Sequence, residues 1–199
     1  MALVKIRQLS SATWLGLWRM DESPAELCAL YPHLGSLTIP FKSDVRQKEF
    51  LCIRALLVAM TDNPQLTIGH YSSGKPFVQG YQISISHTKD YAVLILSLDK
   101  NVAVDIEYRS ERVARVVHKF IRPDELVVGI NQQLTVWSAK ETLYKLHSAD
   151  DLQYFEMRTL SIGPKVLVVE NLKRNIKTEI TVVMTDDYVL TYAIEALPA

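Results

Sequence analysis

The stretch ISISHTKDYAVLILSLDKNVAVDIE, residues 83–107, decides the fold. Ile83 and Ile85 alternate with Gln82, Ser84 and Ser86, the period of two that sends successive side chains to opposite faces of a strand. A turn over His87–Asp90 leads into Tyr91–Leu98, whose apolar run reads as a buried strand. Asp99-Lys100-Asn101 makes a second turn, after which Val102, Val104 and Ile106 alternate with Ala103, Asp105 and Glu107. Strands this close along the chain pair antiparallel, and the last of them sends two acids out of one face.

Working outward, Trp14–Met20 reads as an earlier strand, and Ser23 caps a helix whose first position is Pro24 and which ends near Tyr31-Pro32. A clearer helix follows: Ser43 as cap, Asp44 in the first turn, Phe50, Ile53, Leu57 and Met60 at helical spacing, and a stop at Asp62-Asn63-Pro64. Downstream, Ser110 opens a helix through Val113, Val116, Val117 and Phe120, Pro123-Asp124-Glu125 starts a short one, and Leu134–His147 forms a longer one. Four strands then span 154–160, 165–170, 176–184 and 188–195. The class is α+β, and because each hundred residues combines helix with antiparallel strands, the chain is expected to form two packed halves, 1–100 and 101–199.

Composition bounds the partners. Lys plus Arg equals Asp plus Glu at 22 each, so no global positive field holds a polyanion, and nucleic acid is excluded as the main partner. Apolar residues at 48% support a folded core throughout the 199 residues. Cys28 and Cys52 lie in apolar helical patterns without metal-ligand spacing and read as reduced core residues. With no apolar stretch fit for a signal peptide or a membrane span, the protein is expected to be cytoplasmic.

On a strand, Asp105 and Glu107 project from one side about 7 Å apart and repel unless a cation compensates. Magnesium suits them, since it takes one or two carboxylates and fills its octahedron with water and phosphate oxygens. By themselves the two acids are equally the solvated residues of an exposed sheet face. In Trp137-Ser138-Ala139-Lys140-Glu141-Thr142-Leu143-Tyr144-Lys145, Glu141 and Lys145 share a helix face at i and i+4, an arrangement also common on plain surface helices. Trp137 and Tyr144 read as core aromatics. Gly74-Lys75-Pro76 joins a flexible residue, a cation and a rigid residue, and Ser86 and His87 can donate to phosphate oxygens.

Taken in order, GKP, SISHT, VAVDIE and WSAKETLYK resemble the motifs of the Sfp-type 4′-phosphopantetheinyl transferases across about Arg46 to Lys145. The resemblance implies two similar α+β halves packed as an intramolecular pseudo-dimer, with coenzyme A in the cleft between them. It implies a magnesium-dependent transfer of phosphopantetheine from coenzyme A to a serine of an apo acyl or peptidyl carrier protein, by a monomer. Asp105, Glu107 and Glu141 match the metal ligands. Glu141 also matches the general base, and Lys145 the group that stabilises or protonates the leaving 3′,5′-ADP. Arg54, Lys75, Ser86 and His87 match the positions that contact coenzyme A phosphates, with Arg46 a weaker addition and Lys42 a rough match for an adenosine phosphate contact. Glu125 resembles an acid near the metal, although a Pro-Asp-Glu helix start explains it equally. Ala103 stands where the family usually has glycine. Two other classes fit the same acids: a non-catalytic coenzyme A or nucleotide-binding module of this fold, and a different magnesium-dependent phosphotransferase. With Val102, Val104 and Ile106 as the packing face of their strand, Asp105→Ala is expected to leave the fold intact while removing turnover.

Overall fold

The computed structural model describes residues 3–37 and 39–197, with the side chains of 3 and 4 outside the description. The described residues form a mixed α and β protein with three α-helices and three sheets. The chain divides into two compact units, Met1–Asn101 with Ala196–Ala199, and Val102–Glu195.

The first unit contains strands β1 (Leu3–Ser10), β2 (Thr13–Arg19), β5 (Gln82–Thr88) and β6 (Tyr91–Ser97) in one antiparallel sheet of order β1-β2-β6-β5. Helix α1 (Pro24–Leu30) starts in a capping box: Ser23 Oγ accepts from Glu26 N, and Glu26 Oε2 accepts from Ser23 N at 2.8 Å. Helix α2 (Asp44–Thr61) stops at Asp62, whose φ of 52° ends the helical path one residue before Asn63-Pro64. Leu51, Ala55, Leu56 and Leu57 from α2 pack with Trp18, Leu27, Leu34, Ala92, Leu94 and Leu96. The close seating of α2 on the sheet depends on Gly16, where a Cβ would lie 2.5 Å from Met60 Sδ and 2.8 Å from Leu56 Cδ1.

Two features here were not expected. β1 is an edge strand carrying Lys5, Arg7, Gln8 and Ser10; an edge strand can stay exposed, so it shows no apolar period to read. A short ribbon of β3 (Gly69–His70) and β4 (Pro76–Phe77) brackets Gly74, which holds φ of 84° in the turn closed by Tyr71 N to Lys75 O at 2.9 Å. The expected turn at His87–Asp90 also narrows to Lys89-Asp90, because β5 continues through Thr88 in register with Tyr91.

The second unit is built on a sheet of order β7-β11-β10-β9-β8, with β7 (Lys100–Tyr108), β8 (Met157–Ile162), β9 (Val166–Asn171), β10 (Ile176–Met184) and β11 (Tyr188–Ala196). Helix α3 (Gly129–Leu146) contributes Val136, Ala139 and Leu143 to a core with Ala103, Phe120, Leu167, Val169, Ile180 and Val189. It begins five residues before the expected Leu134, at Gly129 with φ of 75°, and Gln132 Oε1 accepts from Val128 N at 2.7 Å to cap it.

The expected helix from Ser110 is instead two 3-10 turns, Glu111–Arg115 and Val117–Lys119. Val113, Val116 and Val117 are stiff at χ1 and gain little from a full α-helix. The Pro123-Asp124-Glu125 helix is absent too; this segment is a turn in which Glu125 Oε2 accepts from Arg122 N at 2.7 Å. Among the described residues no helix is long and apolar enough to cross a membrane.

Candidate active site

In the second unit the alternation of β7 sends Ala103, Asp105 and Glu107 to the side covered by α3. The opposite residues Val102, Val104 and Ile106 are also buried, so both faces of β7 are covered from Val102 to Ile106. Asp105 is only 3% exposed, which replaces the picture of acids on a wet sheet and corrects the expectation that its truncation leaves the fold untouched.

Asp105 is held from both oxygens. Oδ1 accepts from Lys145 Nζ at 2.7 Å and Oδ2 from Ser138 Oγ at 2.9 Å. Behind Ser138 runs a buried hydroxyl chain: Ser138 Oγ to Thr191 Oγ1 at 2.8 Å, and Thr191 Oγ1 to Thr142 Oγ1 at 2.6 Å. These hydroxyls tie α3 to β7 and β11 and fix the Asp105 carboxylate without a second charge.

Glu107 Oε1 accepts from Trp137 Nε1 at 2.8 Å, and Glu141 Oε1 accepts from the Tyr154 hydroxyl. Trp137 and Tyr154 stack at 5.2 Å with their planes 30° apart, and Phe120 meets Trp137 edge-on at 4.9 Å. Burial, then the charges of Asp105 and Glu141, push the Glu107 carboxyl up to about 7. Burial is also the main cause that raises Glu141, with Asp105 adding to it and Tyr154 and Lys145 opposing. Asp105, Glu107 and Glu141 thus form one electrostatic neighbourhood.

Lys145 does not pair with Glu141 four residues before it on the helix. Its ammonium takes Asp105 and the Val104 carbonyl at 3.1 Å, and its side chain remains 26% exposed. Lys140 and Glu125 lie apart from this chemistry. Lys140 Nζ is fully buried and donates to Glu125 Oε2 at 2.9 Å and Phe120 O at 2.6 Å. Glu125 is therefore an internal counter-ion, and its resemblance to an acid near the metal has a structural explanation.

Among the described residues no three His, Cys, Asp or Glu side chains are grouped as a closed ligand set. The donor chemistry nevertheless fits magnesium. All three acids offer hard oxygens, Glu107 and Glu141 each commit one oxygen to a neutral ring donor, and Lys145 pairs directly with Asp105.

The first unit holds the other expected contacts, in three places. Arg54 and His87 line one depression of about 160 Å³ with Arg46, Glu49 and Phe50. Arg54 sits 3.3 Å over the Phe50 ring and donates to Phe50 O at 3.0 Å and Ile68 O at 3.4 Å. Burial lowers its guanidinium to about 10. His87 Nδ1 is 3.3 Å from Glu49 Oε1. Ser86, next to His87 on β5, leaves the opposite face of the sheet. Lys75 lines a separate depression of about 500 Å³ with Tyr71, Phe77 and Tyr81.

The residues that orient the acids, namely Trp137, Ser138, Thr142, Tyr154 and Thr191, were not read as functional. Trp137 stands four residues before Glu141, and Ser138 stands four before Thr142, so both pairs share helix faces; mid-helix hydroxyls were the available signal. Tyr154 and Thr191 arrive from strands and turns far along the chain, and nothing local marks them. No protein-family model matches the chain, and no curated protein matches its sequence.

Proposed function

We propose that the chain is a magnesium-dependent 4′-phosphopantetheinyl transferase of the Sfp type, acting on coenzyme A and an apo acyl or peptidyl carrier protein. The observation that carries this reading is the neighbourhood of Asp105, Glu107 and Glu141, with Lys145 paired to Asp105. These are the acids and the cation that the VAVDIE and WSAKETLYK motifs single out.

Asp105, Glu107 and Glu141 would hold the magnesium. When bound, the ion would supply Lewis-acid stabilisation of pyrophosphate charge. Glu141 takes the proton of the carrier serine as its Oγ forms a bond to the β-phosphorus of coenzyme A and the pyrophosphate P–O bond breaks. The raised proton affinity that burial gives Glu141 suits that role. Lys145, partly exposed and anchored on Asp105 and Val104 O, offers its remaining N–H to the leaving 3′,5′-ADP. Arg54, Lys75, Ser86 and His87 are the coenzyme A phosphate contacts of this reading, and Arg54 is already engaged with two carbonyls. On this reading the protein works in the cytoplasm as a monomer.

The test is mass spectrometry of several apo carrier proteins incubated with the protein, coenzyme A and magnesium. The expected result is a phosphopantetheine mass gain on at least one carrier with release of 3′,5′-ADP. Folded protein that modifies none of them, yet binds coenzyme A, would move the reading to a binding module.

A further inference from the structure

Tyr154 opens a short 3-10 turn, Tyr154–Glu156, just ahead of β8. The turn is pinned at its other end, where Glu156 Oε2 accepts from Gln153 N at 2.7 Å and pairs with Lys173 Nζ at 3.0 Å. From this fixed base the Tyr154 ring lies on Trp137, is met edge-on by Phe120 at 6.4 Å, and delivers its hydroxyl to Glu141 Oε1. Trp137 and Glu141 are one turn apart on α3, so a single aromatic ring covers the first and reaches the second.

We infer that Tyr154 is a positioning residue for Glu141, and that with Trp137 it forms an aromatic bracket fixing one oxygen of Glu141 and one of Glu107 while leaving the other oxygen of each to a divalent cation. The inference rests on the reading of Asp105, Glu107 and Glu141 as cation ligands.

The physical reason is entropic and geometric. A glutamate has three rotatable side-chain bonds, and confining them costs rotamer freedom. A carboxylate already confined by a rigid donor loses less on binding an ion. Tyrosine and tryptophan suit this work because each ring is held by packing and carries one polar tip. The stacking couples the two tips, so Glu107 and Glu141, from a strand and a helix, are set at one mutual spacing. Outer partners of this kind are general at metal-ligating carboxylates, and losing one typically costs about 10–100-fold in metal affinity.

The experiment measures binding of Mn²⁺ alone, by the electron paramagnetic resonance signal of the free ion, to the full chain as wild type, Tyr154→Phe, Glu141→Gln and the double variant. Phenylalanine keeps the ring and its stack and removes only the hydroxyl. The expected result is an affinity loss of about tenfold in Tyr154→Phe, and no further loss when the same change is added to Glu141→Gln. In the transfer assay the magnesium needed for half-maximal rate should rise by a similar factor, with excess magnesium restoring the rate. Unchanged Mn²⁺ affinity in Tyr154→Phe, with a clear loss in Glu141→Gln, overturns the inference and leaves the cation reading standing. An equal loss in both backgrounds overturns it too, since Tyr154 would then act through the fold. A wild type that leaves Mn²⁺ free, or a Glu141→Gln variant that binds as well as wild type, removes the cation reading and this inference together.

Discussion

Lys140 Nζ lies 2.9 Å from Glu125 Oε2, and both side chains are essentially without solvent. Burial lowers the Lys140 ammonium and Glu125 opposes that, so the pair persists as an ion pair because each group, together with nearby backbone carbonyls and N–H groups, replaces the other's water. Lys140→Met is expected to destabilise the protein by about 3–5 kcal/mol, read from urea unfolding. Adding Glu125→Leu should recover only part of this, because Arg122 N and Thr159 N also donate to Glu125. Full recovery would mean that those backbone bonds matter little.

Asp105 is bound by both an ammonium and a hydroxyl in a buried place, so its removal should affect stability as well as turnover. Asp105→Ala removes one acceptor from each of Lys145 and Ser138 and is expected to cost about 2–3 kcal/mol, whereas Asp105→Asn keeps the shape and costs less. Both should lower the proposed transfer on the order of 100-fold. Circular dichroism, thermal melting and the carrier mass assay, run on both variants, separate the two effects.

Arg54 serves the fold before it serves a ligand. It bonds the Phe50 and Ile68 carbonyls and covers the Phe50 ring, so Arg54→Ala should lose about 1–3 kcal/mol in urea unfolding even without coenzyme A. Arg54→Lys retains the charge but not the planar fork, and is expected to lie between the two. An Arg54→Ala variant as stable as wild type would show that these contacts are energetically idle.

Glu195 gives the clearest pH dependence. His147 Nε2 at 3.1 Å, and then Thr178 Oγ1 at 2.7 Å, hold its carboxyl below its ordinary value of 4.5 against the opposing effect of burial. Folding therefore favours the ionised form, so the stabilisation is fully present above about 4.5 and is lost as the pH falls through the lower folded value. Glu195→Gln should be about 1 kcal/mol less stable at pH 7 and lose less stability on acidification below that range. Parallel acid-unfolding curves for the two proteins would contradict this.

The elements legible in advance were those whose own residues contain the answer. Gln82–Ser86 and Val102–Glu107 carried a period of two on either side of the apolar run Tyr91–Leu98, Ser23-Pro24 and Ser43-Asp44 carried helix starts, and four strands after Tyr154 carried apolar runs between turns. Edge strand β1 was hidden because an exposed strand needs no apolar face. The valine-rich segment after Ser110 imitated a helix because periodicity counts apolar positions and not the stiffness of their side chains.

Which side chains carry charge is set by residue identity, and which share a strand or helix face, Asp105 with Glu107 and Trp137 with Glu141, by local backbone period, so both can be read from the order of residues. That Lys145 turns to Asp105 instead of Glu141, that Lys140 is locked to Glu125, and that Tyr154 and Thr191 reach the site emerges only once the chain is folded. Partner choice among charged and hydroxyl groups follows from burial and from contacts made dozens of residues apart, and no local pattern encodes either.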